Sequence, residues 1–167
     1  MQLDIAKTTI FKEAKSVSQS IKIKGITIRN FKSLFDVSFE TGNVNVFIGA
    51  NGSGKTSVLE AIGVLSAAMT DRVNNNSLQR KGVRLSTSSL YKSKFADIVK
   101  ESPTVEFSLK WGKDSHEYQY NTHLTAPVGD DSWKYHTESV SRDGIIVFGR
   151  SNRSKSHMNN KVGYYSL

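Results

Sequence analysis

Gly49-Ala50-Asn51-Gly52-Ser53-Gly54-Lys55-Thr56 fits the pattern G-x-x-x-x-G-K-[ST]. Each residue type in it answers a physical need. Glycines let the chain curl until successive N–H groups point inward as an anion nest. The loop opens a helix, whose dipole and unpaired N–H groups favour phosphate. Lys55 then supplies a cation for β- and γ-phosphates, Thr56 a hydroxyl for Mg²⁺, and Ser57 a hydroxyl for the α-phosphate. Asn51, Gly52, Ser53 and Gly54 form the wall of the nest. The flanks agree with this reading. Val44 to Ile48 is an apolar run fit for a central buried strand. From Lys55 the apolar period becomes helical, through Val58, Leu59, Ile62, Leu65 and Met69.

Further out, residues 1–20 read as an N-terminal extension and 21–167 as one domain. Residues 21–30 alternate apolar and polar, as does Phe35-Val37-Phe39, which predicts two strands before the loop. The phase slips at Gly25, which predicts a bulge there. Residues 71–89 are rich in Asn, Ser and Arg and read as a mobile loop, with a short helix within 90–100, so that 71–101 is one loop region. After Pro103 the period is two. Val105-Phe107-Leu109-Trp111 and Tyr118-Tyr120-Thr122-Leu124 predict strands around a Gly112-to-Ser115 turn. Trp133–Val140 and Ile145–Phe148 flank Asp143-Gly144, a hairpin signal. The β region thus runs over 103–149 and a polar tail over 150–167. The period-two aromatics read as sheet residues rather than as base-stacking platforms.

The chain has 167 residues and no cysteine, which excludes a disulfide scaffold and thiol chemistry and fits a reducing, cytoplasmic compartment. No apolar run is long enough to span a membrane, and the N-terminus has no signal-like apolar stretch. The four histidines show no metal-ligand spacing. The net charge is +8. It is concentrated in residues 71–101, with seven bases against three acids, and in 150–167, with four bases and no acid. Arg80, Lys81, Arg84, Lys92 and Lys94 are therefore candidate nucleic-acid contacts, against the plainer reading of a solvated loop.

The stretch ITIRNFKSLFDVSFETGNVNVFIGANGSGKTSVLEAI, residues 26–62, resembles the N-terminal head of RecF/SMC-like, ABC-type ATPases. I-R-N-F-K-S, then I-G-x-N-G-S-G-K-T-S and V-L-E-A-I carry the likeness, which covers residues 23–65. More loosely, E-S-V-S-R-D-G-I-I-V-F-G-R at 138–150 resembles AAA-family ATPases of the overcoming-lysogenisation-defect type, many of which act in phage defence or DNA processing. The resemblance implies an α/β P-loop NTPase fold, an ABC-type lobe I with an antiparallel β region. It implies ATP and Mg²⁺ as cofactors and a second ATPase head, as a homodimer, that closes over the nucleotide. It also implies DNA and a fused or partner nuclease as further partners. Lys32, in the N-F-K-S segment, maps to a nucleotide-approaching residue, and Asn30 to a neighbour of base or ribose; a surface lysine is the plainer reading of Lys32.

Two parts of such an ATPase are missing from the sequence. Ile145-Ile146-Val147-Phe148 is followed by Gly149 and Arg150, not by the Asp-Glu of a Walker B strand. Leu85-Ser86-Thr87-Ser88-Ser89 is not a signature motif, and neither Gln79 nor Gln119 suits a metal-contacting glutamine. The expectation is the first part of a longer ATPase, with Lys55 supplying charge at the reacting phosphate and the general base outside this chain. Two rivals remain: an ABC transporter subunit, with Phe35 stacked on adenine, and a non-hydrolysing module that binds DNA or protein under ATP control.

Overall fold

The computed structural model describes residues 20–70, 72–93, 104–126, 132–151 and 154–158. The predicted N-terminal extension, apart from Ser20, lies outside these residues, as does Lys94. Seven strands form one antiparallel sheet: β1 (Lys22–Phe31), β2 (Leu34–Glu40), β3 (Val105–Lys113), β4 (His116–Thr125), β5 (Lys134–Arg142), β6 (Ile145–Ser151) and β7 (Ser154–Met158). Their order is β2-β1-β3-β4-β5-β6-β7, so β1, at the start of the domain, sits between β2 and β3. The register shift between Ile23 and Gly25 against β3 places the bulge where the phase slip predicted it.

The hairpins follow local backbone chemistry. Asp143 and Gly144 both take positive φ, at 49° and 80°, as the β5–β6 turn requires. The β3–β4 turn falls on Asp114 and Ser115, both also at positive φ, and Gly112 belongs to β3. The polar tail is corrected in part: β6 runs on to Ser151, and β7 pairs with it from within the Ser-rich segment. Polar composition hid that strand, because an edge strand needs backbone partners more than apolar side chains.

Antiparallel pairing puts opposed residues on one face. Ile26, Ile28, Phe107, Tyr120 and Leu124 share the apolar face with Val105, and all six are buried. The helix α1 (Lys55–Thr70) covers it with Val58, Ala61, Val64, Leu65, Ala67 and Ala68. Leu59, counted in the apolar period, is instead 60% exposed, because Glu60 takes a place on the buried side. Near the far end of α1 the Ala68 carbonyl accepts from the Tyr135 hydroxyl at 2.9 Å, which satisfies a C-terminal carbonyl that the helix cannot pair itself. The opposite face is polar, with Ser38, Thr27, Ser108, Asn121 and Ser139 in register across five strands.

Two further expectations are overturned. Residues 71–89 are not simply a loop: α2 (Asn75–Arg80) starts on a capping box, with Asn74 accepting from Ser77 N–H and Ser77 returning a contact to the Asn74 N–H. Val73, Leu78 and Val83 are buried there, and Gly63 lets α2's end approach α1, since a Cβ would come within 2.8 Å of the Lys81 carbonyl. A short helix, α3 (Ser88–Tyr91), overlaps the 90–100 window expected to hold one only at Leu90 and Tyr91, and residues 94–100 lie outside the described residues. Second, Val44–Ile48 is neither a strand nor buried. Val44, Val46 and Ile48 are 82%, 75% and 92% exposed, and only Phe47 turns inward, edge-on to Phe39 at 5.4 Å. A strand apolar on both faces is stable only between paired neighbours and covering layers, and no described strand pairs with this segment.

Candidate functional site

The loop of Gly49–Thr56 joins that exposed segment to α1. Gly52 and Gly54 take φ of 83° and 96°, the left-handed region that side chains disfavour. Ser53 N–H donates to the Ala50 carbonyl at 3.2 Å, and Val58 N–H to Gly54 at 3.0 Å, so a tight turn passes directly into the helix. The curl leaves no room for side chains at two glycines. A Cβ on Gly49 would stand 2.6 Å from Ser53 Oγ; one on Gly54 would meet Ser33 Oγ and Leu34 Cδ2 at 3.1 Å. Lys55 Nζ folds back over the loop and donates to the Gly49 and Ala50 carbonyls, each at 2.7 Å. Asn51, Gly52, Ser53 and Thr56 are exposed on the loop and the first helical turn, and Ser57 is half-buried. Glycines, ammonium and an exposed Thr56 hydroxyl are the groups that a nucleotide phosphate chain with Mg²⁺ would require.

The β1–β2 turn abuts the loop. Ser33 Oγ donates to Ser57 Oγ at 3.0 Å. Its neighbour Lys32, at φ 51°, donates its N–H to the Tyr91 carbonyl at 2.9 Å. Lys32 Nζ lies 5.2 Å from the Tyr91 ring and 5.5 Å from that of Phe31, within cation–π range. It donates to Glu60 Oε2 at 2.6 Å. Lys32 is thus not a plain surface lysine; it is bound to a buried acid of the loop's own helix. Asn30 also has positive φ, 58°, and its carbonyl accepts from Ser93 N–H at 3.1 Å.

Glu60 is 2% exposed and its other oxygen accepts from Arg84 Nε at 2.7 Å. Burial on its own would raise its pKa. The hydrogen bonds from Arg84 and Lys32, with the Lys32 charge, outweigh that and hold the carboxyl below its ordinary value. Arg84 therefore separates from the rest of the basic loop. Arg80 and Lys81 are exposed at the end of α2, and Lys92 is half-buried with its backbone bridged to Phe31. The structure thus brings Lys32, Ser33, Glu60 and Arg84 together beside the loop. Sequence reasoning missed Ser33, Glu60 and Tyr91. The available signal was Glu60 itself, an acid on the same helical stripe as Ala61, Val64 and Ala68, where a lone charge is expensive without partners.

A glycine-rich turn feeding a helix, with its lysine over the turn, is the arrangement that a P-loop NTPase uses. The chain belongs to the AAA ATPase domain family, whose model matches residues 21–132. Among curated relatives, it is similar to the DNA replication and repair protein RecF of Oenococcus oeni, 49% identical over 57 residues, which are 34% of this chain and 14% of that protein. The RecF of Lactococcus lactis is 30% identical over 84 residues, 48% of this chain and 23% of the relative. That of Clostridioides difficile is 33% identical over 72 residues, 42% and 19% respectively. The matched part thus spans less than a quarter of these relatives' length. The expected RecF/SMC-like ATPase kinship holds. Among the described residues no helix is long and apolar enough to cross a membrane.

Proposed function

We propose that this chain binds Mg-ATP through Gly49–Ser57 as a half-site of a RecF/SMC-like ATPase head that does DNA-related work. The observation that carries the reading is Lys55, folded over a loop whose Gly52 and Gly54 adopt left-handed backbone at the start of α1. The ammonium and the loop N–H groups bind the phosphates; Thr56 would hold Mg²⁺; Ser57 donates to the α-phosphate. Lys55 is the charge that acts at the reacting phosphate. Mg²⁺, when bound, neutralises charge on the phosphate oxygens.

The exposed Val44, Val46 and Ile48 support an ABC-type arrangement in which further strands complete a second sheet. A second head closing over the nucleotide as a homodimer, DNA as the polyanion on Arg80 and Lys81, and a nuclease partner in phage defence complete the reading. Its test is displacement of a fluorescent ATP analogue by unlabelled Mg-ATP. Displacement by wild type but not by Lys55→Ala supports it, and no binding of the analogue by wild type overturns it. A second reading, a non-hydrolysing ATP-controlled module, is favoured by one observation: Glu60, the acid beside the loop, is already bound to two cations.

A further inference from the structure

We propose that Glu60 is a positioning residue of the nucleotide site, one buried carboxylate that clamps the β1–β2 turn against the phosphate loop and fixes the end of the basic loop at Arg84. The inference rests on the nucleotide-binding reading of Gly49–Ser57. Its two oxygens do separate work. Oε2 takes Lys32 Nζ at 2.6 Å. Oε1 takes Arg84 Nε at 2.7 Å and the Arg84 N–H at 3.3 Å. Lys32 is chained directly to Ser33, so fixing Lys32 sets where the Ser33 hydroxyl falls. That hydroxyl donates to Ser57 Oγ at 3.0 Å and stands 3.1 Å from where a Gly54 Cβ would be. Because Ser33 donates, the Ser57 proton is left for a different acceptor, which a phosphate oxygen supplies.

On the other side, Arg84 spends its Nε on Glu60 while its side chain stays 74% exposed, so the guanidinium's outer edge is held in a fixed place facing solvent. The carboxylate cannot easily change partners. At 2% exposure Glu60 is left as a poorly solvated charge when it loses a cation, which is costly. The turn, the loop-bearing helix and the basic loop therefore move as one unit.

The test compares Glu60→Gln and Glu60→Asp with wild type, on the full chain, by Mg-ATP calorimetry and by amide hydrogen exchange without nucleotide. A glutamine presents one acceptor and one NH₂ group, so it cannot serve two cations; aspartate keeps the charge on a shorter arm. We expect Glu60→Gln to weaken Mg-ATP binding about tenfold, equivalent to about 1.4 kcal/mol, and Glu60→Asp to recover part of it. We expect faster exchange at the Lys32 and Val58 amides in Glu60→Gln, with β3 and β4 unchanged. Unchanged affinity and unchanged exchange in Glu60→Gln overturn the proposal. Equal loss in both variants, with exchange rising throughout the sheet, also overturns it by reducing Glu60 to a folding residue. If wild type binds no Mg-ATP, the nucleotide reading fails by itself, and the Lys32 and Val58 exchange still decides whether the clamp exists.

Discussion

Ser33 Oγ donates to Ser57 Oγ at 3.0 Å, which ties the β1–β2 turn to the third residue of α1. Ser33→Ala removes the donor on an exposed surface, so unfolding free energy should change by less than about 1 kcal/mol. Mg-ATP affinity should nevertheless fall roughly threefold, because the Ser57 hydroxyl loses its fixed orientation. Ser33→Thr should keep the affinity. Calorimetry and urea denaturation on the same samples separate the two quantities.

Gly54 should tolerate no side chain. Its φ is 96°, and a Cβ meets Ser33 and Leu34 at 3.1 Å. Gly54→Ala combines left-handed strain with a contact that must give, for a loss of about 1–3 kcal/mol by denaturant titration. Gly52 has φ of 83° but open space around a Cβ, so Gly52→Ala should cost only the strain, about 1 kcal/mol.

The far end of α1 gives a graded pair. The Tyr135 hydroxyl donates to the Ala68 carbonyl, a neutral bond at 2.9 Å, so Tyr135→Phe should cost about 1 kcal/mol. Tyr120 donates to the buried Glu138 carboxylate at 2.6 Å. Burial, followed by the Glu138 contact, pushes the Tyr120 pKa well up, so the hydroxyl stays protonated and remains a donor. Tyr120→Phe leaves Glu138 to Arg150 alone and should cost about 2–3 kcal/mol. Equal costs in thermal and chemical denaturation would contradict this order.

Acid should erase the Glu60 contribution. Its folded pKa is held below the ordinary 4.5, so the carboxylate stabilises the fold above that value and the contribution is lost as pH falls through the lower, folded one. Wild type should therefore exceed Glu60→Gln in stability at neutral pH, and the gap should narrow as pH falls below 4.5. A gap that stays constant into acid would mean that the Glu60 charge is not what the pair of cations holds.

Much of this was legible from local signals. The glycine-rich turn before α1, the Gly25 bulge and the Asp143-Gly144 turn each rest on a residue whose backbone freedom dictates its place. The β3–β6 strands followed from period-two alternation. What failed depended on partners distant in the chain. Val44–Ile48 is apolar enough for a central strand, yet strand status needs neighbours to pair with, and composition does not reveal them. Asn74 and Ser77 looked like loop residues because the same side chains serve loops and helix caps. The Lys32–Glu60 pair was not legible because its two members stand 28 residues apart in the chain.

The central claim is that Gly49–Ser57 holds the phosphates of Mg-ATP through Lys55. Isothermal calorimetry of Mg-ATP on the 167-residue chain, wild type against Lys55→Ala, tests it most directly. The account predicts saturable one-site binding by wild type and a loss of more than about tenfold in Lys55→Ala, without steady ATP turnover by the chain. Equal affinity in the two proteins, or none in wild type, would contradict it.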